Sequence, residues 1–220
     1  MNFIIILKGG LKVEALTFHN KLISMNDKDY IENLLIYQAS LVIAGVKPAT
    51  TFTINLKNQR LNNLWNKYGI NFLNSVPLDH YELVNTNDLR VVIIYNEKSL
   101  IKNLSNTMTH NFLINLGYPK NLTVKPYLNI LKKRYLIYTC PHELGIFLGI
   151  PLDDVKDFIN CSEKKCLLCG YWKVYNNLHK ATALFQKYDI VKTFAINSIL
   201  NGTLSYNIVN NIRNSFNTQT

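Results

Sequence analysis

Arg90-Val91-Val92-Ile93-Ile94-Tyr95 is the stretch on which the fold turns. Its β-branched residues run on without alternation, and a strand of that kind is buried on both faces. A second strand is expected over 50–56, where Thr50-Thr51-Phe52-Thr53-Ile54-Asn55-Leu56 alternates polar and apolar residues. Before it, Leu34, Leu35, Leu41 and Val42 recur at helical spacing and predict a helix over 27–45, started by Asp27 or Asp29 and stopped by Gly45 and Pro48. Between the two strands the spacing predicts a helix over 59–68 with Leu61, Leu64 and Trp65 inward and Gly69 at its end. Further strands are expected near 70–73 and 81–84, around Pro77.

Downstream, one long helix is expected over 97–116, ended by Gly117-Tyr118-Pro119, and another over 125–135 with Pro126 in its first turn. Two short helices open at prolines, over 141–148 and 151–159, with Asp153 and Asp154 complementing the dipole of the second. Tyr171-Trp172-Lys173-Val174-Tyr175 reads as a strand with Trp172 in the core and Tyr171, Lys173 and Tyr175 on a partly exposed face. A helix over 178–188 follows, and the Asn, Ser and Thr-rich stretch after Asn197 reads as weakly ordered. Strands separated by helices without a regular rhythm predict an α+β fold, one small, mostly antiparallel sheet packed with several helices. The expected division is an N-terminal extension over 1–26, a single α+β domain over 27–190 and an Asn/Ser-rich C-terminal extension over 191–220.

Hydrophobic residues make up 48% of the 220, which excludes a disordered chain. No apolar run approaches the roughly 18 residues that span a bilayer, since the best candidate, 34–46, is interrupted by Gln38 and Ser40. The apolar run at 3–7 is too short for a signal-peptide core, so a cytoplasmic protein is expected. The net charge of +10 invites a nucleic-acid reading, but only four of the 24 basic residues are arginines: Arg60, Arg90, Arg134 and Arg213. Lysine lacks the bidentate fork that base and phosphate recognition favours, and Lys and Asn enrichment is what an AT-rich genome produces unselected. Nucleic acid is therefore not an expected partner, and Lys132-Lys133-Arg134 reads as a solvated helix face. GxGxxG, GxxxxGK[ST] and GxSxG are absent, and whether the chain is an enzyme stays open.

Chemistry is concentrated over 140–175, which holds all four cysteines and His142. Cys161, Cys166 and Cys169 follow a C-x4-C-x2-C spacing, with Cys140 upstream. A two-residue gap lets a tight turn aim two sulfurs at one ion, so zinc fits, and the triplet also has a plant-type ferredoxin spacing, so an iron–sulfur cluster fits. Inert buried thiols fit equally. His142 and Glu143 open a helix, where Glu143 meets the positive dipole end and His142 is kept neutral, as a ligand or general base requires, so both are catalytic candidates beside a plain capping role. Gly145 and Gly149 in that helix permit close approach of another backbone or of a flat ligand.

Three stretches carry a family resemblance: Gly45-Val46-Lys47-Pro48-Ala49, then Pro141-His142-Glu143-Leu144-Gly145-Ile146-Phe147-Leu148-Gly149-Ile150-Pro151-Leu152-Asp153-Asp154-Val155, then Cys169-Gly170-Tyr171-Trp172-Lys173-Val174-Tyr175. Over about 35–188 the chain resembles domain-of-unknown-function family 3793, small proteins of clostridia and other anaerobic Firmicutes. The resemblance implies no established activity, only a cytoplasmic protein of an anaerobe with a loose link to iron or redox metabolism. Gln38-Ala39 stands where the family often carries a His-Cys pair, which favours dispensable cysteines.

Two readings follow. In the first, the 142–143 helix start meets the 170–175 strand and a metal or redox cofactor is held by Cys161, Cys166 and Cys169 with Cys140 or His142; a small redox protein is then a fitting partner. In the second, the chain is a non-enzymatic binding module in which Lys47, His142, Glu143, Lys173, Tyr171 and Tyr175 shape a pocket for an anionic or planar small molecule. A nucleic-acid binder is the weakest third.

Overall fold

The computed structural model describes residues 10–160 and 164–216, with side chains from residue 16 onward. At its centre lies a three-stranded antiparallel sheet of order β1-β3-β2, formed by β1 (Ala49–Asn55), β2 (Asp79–Asn85) and β3 (Leu89–Tyr95). Ile93 of β3 stands opposite Thr51 on one side and Tyr81 on the other. Val92 and Ile94 point into one apolar core while Ile93 and Tyr95 point into a second. That two-sided burial is why the strand reads as an unbroken β-branched run.

The first core is closed by α1 (Gly10–Ile23), α2 (Asp27–Ile43), α10 (Leu178–Leu200) and α11 (Ser205–Phe216), with α3 (Gln59–Leu64) and α4 (Ile70–Ser75) at its side. The second is closed by α5 (Glu97–Leu104), α6 (Thr107–Asn115), α7 (Val124–Tyr135), α8 (Leu144–Phe147) and α9 (Leu152–Ile159). A two-stranded hairpin, β4 (Leu168–Cys169) with β5 (Lys173–Val174), docks on the first core through Leu168, Trp172 and Val174. The result is an α+β fold, a small antiparallel sheet between helical layers. Among the described residues no helix is long and apolar enough to cross a membrane.

Helix α2 shows how these elements are specified. Asn26 caps it by accepting from the Asp29 N–H at 3.0 Å, so the start falls one residue before the two aspartates that the sequence suggested. Ile31, Leu35, Ile36, Leu41 and Val42 are buried beneath α10 and α11, each contributing about 1.5–3 kcal/mol.

Several expectations are corrected. The helix expected over 97–116 is two, because Asn106 accepts from the N–H groups of Met108 and Thr109 and starts α6 afresh. The strand expected near 70–73 is helical: a π turn at Trp65–Gly69 carries α3 into α4, so Gly69 does not end the run and Phe72 and Leu73 reach the same core as Trp65. The strand at 171–175 is only Lys173–Val174. The stretch after Asn197, expected to be weakly ordered, completes α10 and forms α11, where Ile208, Val209 and Ile212 are fully buried or nearly so. Its polar composition masked one apolar stripe at helical spacing. Residues ahead of Asp27 are likewise packed, through Phe18 and Leu22 of α1.

Candidate functional site

The three motifs meet where α8, α9 and the hairpin converge, and most of their residues act as joints. Asp154 is 3% exposed and is the hub. Its Oδ1 accepts from the backbone N–H of Tyr175 at 3.0 Å, the backbone N–H of Asn176 at 2.8 Å and the Asn176 side-chain amide at 3.0 Å, while Oδ2 accepts from the Trp172 indole at 2.8 Å. A carboxylate with four donors is fully engaged, and it ties α9 to the hairpin. Gly149, at φ +82°, lies so close to Pro48 that a Cβ there would stand 2.7 Å from its ring, which locks the 45–48 turn onto the end of α8.

Glu143 is not the helix-dipole partner that the sequence suggested. At the N-cap of α8 it makes no capping bond. Its carboxylate, 2% exposed, accepts from Arg134 Nε and Nη2, the latter at 3.4 Å, and from the Tyr118 hydroxyl at 3.2 Å. Arg134 is therefore drawn out of the solvated face expected for it. Burial, and then the Glu143 charge, push the Tyr118 hydroxyl far above the usual phenol range. Glu143 is buried in this cluster with both oxygens engaged, and it does not line the cleft.

His142, Lys173 and Tyr171 do come together. They line a cleft of about 280 Å³, with Cys140 and Trp172, over an apolar floor that includes Leu144, Ile150 and Val155. The Phe158 ring, 42% exposed, stands between the two bases: His142 meets it edge-on with centroids 5.2 Å apart, and the Lys173 amine lies 5.8 Å from its centroid. The Tyr171 hydroxyl donates to Asp189 of α10 at 2.8 Å, which fixes that ring as a wall. Trp172 is half-buried, Tyr171 and Lys173 are exposed, and Val174 is fully buried.

Two expected residues lie elsewhere. Tyr175 supplies its backbone N–H to Asp154 and does not line the cleft. Lys47 sits in the turn between α2 and β1, with its amine 5.9 Å from the Tyr188 ring centroid. Near it is a residue that sequence reading missed, Lys192 of α10, whose amine stands 4.1 Å from the Tyr37 centroid and donates to the Tyr37 carbonyl. Both keep part of their surface in water, yet burial lowers the Lys47 amine to about 8, and burial together with the Lys47 charge lowers Lys192 to about 7. A lysine within an amphipathic helix carries no sequence signal that its amine faces inward.

The cysteines do not gather into one set. Cys166 and Cys169 face each other with sulfurs 3.2 Å apart, and the Cys166 thiol donates to the Leu168 carbonyl at 3.1 Å. The hydrogen bond with Cys166 raises the Cys169 thiol above its ordinary value. Cys140 is exposed beside the Tyr135 hydroxyl, and Cys161 lies outside the described residues. Among the described residues no three His, Cys, Asp or Glu side chains could hold one ion. A closed zinc site or a cluster needs four ligands, so the described thiols alone do not complete one.

No curated protein and no solved structure matches this chain. A family model described as protein of unknown function (DUF3793) matches residues 35–209, a span that holds the second core, most of the first, the cleft and the hairpin. The chain belongs to the DUF3793 family.

Proposed function

We propose that this protein is a small-molecule binding module whose cleft at the junction of α8, α9 and the hairpin takes a planar anion. One observation carries the reading: His142 and Lys173 both face the exposed Phe158 ring in a largely apolar cleft, whose one carboxylate, Asp154, is already held by four donors. An aromatic body desolvates against Tyr171, Trp172 and Phe158 while its negative group meets Lys173. Binding rather than turnover fits the buried acids, since Glu143 is committed to Arg134 and Asp154 to four donors.

A second reading rests on the 3.2 Å separation of the Cys166 and Cys169 sulfurs, close enough for the pair to share a soft metal ion or to act as a dithiol. Further ligands would have to come from beyond the described residues. The link to iron or electron-transfer metabolism, and a small redox protein as partner, belong to this reading.

One experiment separates the two. Anilinonaphthalene sulfonate, a planar aromatic anion, is titrated against the native protein, the Lys173→Glu variant and the Cys166→Ser/Cys169→Ser variant, with metal content measured on each preparation. The cleft reading expects saturable binding that weakens about tenfold with Lys173→Glu, the loss of one charged contact, and survives the cysteine exchange. Binding indifferent to Lys173→Glu defeats it. Metal present in the native protein and lost from the cysteine variant moves the function to the thiols.

A further inference from the structure

A second cavity, larger than the cleft, lies apart from it and shares no lining residue with it. It encloses about 600 Å³ between the 45–48 turn, the start of α5 and the end of α11. Its charge is one-sided: Lys47, Lys98, Lys102 and Arg213 line it, and no aspartate or glutamate does. Glu97 is adjacent in the chain but not among the lining residues. The six ion pairs among the described residues involve other bases, so none of these four cations is neutralised by a described carboxylate.

Four bases around one concavity with no acid among them give it a positive potential, which favours entry of a multiply charged anion. The polar groups between them are already positioned. Asn96 accepts from the Ser99 N–H at 3.0 Å and caps the first turn of α5, while Asn103 in its last turn donates to the Ile146 carbonyl at 2.7 Å. The Glu97 and Lys98 amides in the first turn have no intrahelical acceptor and can donate to an oxyanion. The opposite wall, with Val42, Ile43, Val46 and Leu78, is apolar. A bare inorganic anion would leave that wall wet.

We infer that this cavity binds an organic phosphate carrying at least two negative charges, its phosphates held by Lys98, Lys102, Arg213 and the first turn of α5, and its organic part against the Val42–Leu78 wall. The concavity and the volume suit a small molecule rather than a nucleic-acid strand, which would need a groove that continues past both ends.

Calorimetry on the full chain tests this, with ADP as the probe and pyrophosphate, adenosine, citrate and oligo(dT) as comparisons, at low and at raised salt. The expected result is saturable binding of ADP, weaker binding of pyrophosphate, and little or none of adenosine or citrate. Lys98 and Lys102 are exposed, so Lys98→Glu/Lys102→Glu should keep the melting temperature and weaken ADP at least tenfold, with Arg213→Glu acting in the same direction. The double variant leaves the α8–α9 cleft intact and should not change dye binding there, so failure of one site is distinguishable from failure of the other. The inference is overturned if ADP gives no heat at millimolar concentration, if the double variant binds it as the native protein does, if citrate or adenosine matches it, or if oligo(dT) binds more tightly than ADP.

Discussion

Glu143 and Asp154, in the motif-bearing segment beside the second core, are buried with every charge answered. Lys47 and Lys192, at the edge of the first core, are half-buried beside tyrosine rings and one carbonyl, with no carboxylate in an ion pair with either among the described residues. A guanidinium and a phenol, or four N–H donors, stand around the carboxylates in place of the lost water. The amines have no such partner, and their proton affinity falls instead, to about 8 and about 7. Buried charge is therefore a structural fastener in one region and a titratable load in the other.

The sharpest way to break this contrast is at Asp154. Asp154→Ala strands four donors between α9 and the hairpin, and we expect about 3–5 kcal/mol of lost stability by denaturant unfolding, enough to threaten a domain of ordinary stability. A loss below about 1 kcal/mol would show that the hub is not a fastener.

Glu143→Gln should cost less, about 2 kcal/mol, because the Arg134 side chain is 21% exposed and can turn to water. Arg134→Met should cost more than Glu143→Gln, since it leaves a carboxylate of 3% side-chain exposure without a cation. The reverse order, measured by thermal melts of the two variants, would mean that Arg134 rather than Glu143 is the buried partner that matters.

The effect that is smallest at any one step of pH concerns the amines. Both folded values lie below the ordinary lysine value of 10.5, so between about pH 7 and 10 the unfolded chain binds more protons than the folded one. Stability from this source therefore rises with pH across that window, by about 1 kcal/mol per pH unit at most for each amine. Above pH 10 the trend reverses as buried tyrosines, such as Tyr95 with its hydroxyl raised to about 12 by burial, must ionise on unfolding. Lys192→Met should flatten the rise between pH 7 and 10 and raise the melting temperature most at the acid end. An unchanged slope in that variant would show that Lys192 is hydrated in solution.

How much of this could be read from the chain depends on whether a residue's role is local. The β3 run announced its own two-sided burial because periodicity is a local property, and α2 was legible from the same kind of pattern. Cleft residues His142, Tyr171 and Lys173 were chosen from motif chemistry, and they do share one cavity. Asp154 was read as a dipole complement, although its four donors lie 18 to 22 residues downstream, and no spacing rule reaches that far. Arg134 looked like part of a basic surface cluster for the same reason, since its partner is nine residues away across a loop. The apolar stripe of α11 was hidden by a composition average that diluted three buried residues among asparagines.

The strand order β1-β3-β2 also dictates when the protein can be finished. Neither β1 nor β2 pairs with the other, so both remain without ladder partners until the ribosome has delivered β3. The apolar face of α2, made early, also waits for α10 and α11 at the far end of the described residues to complete its cover. A nascent chain paused before Leu178 leaves part of that face open to chaperones, and the last dozen residues of helix close the first core.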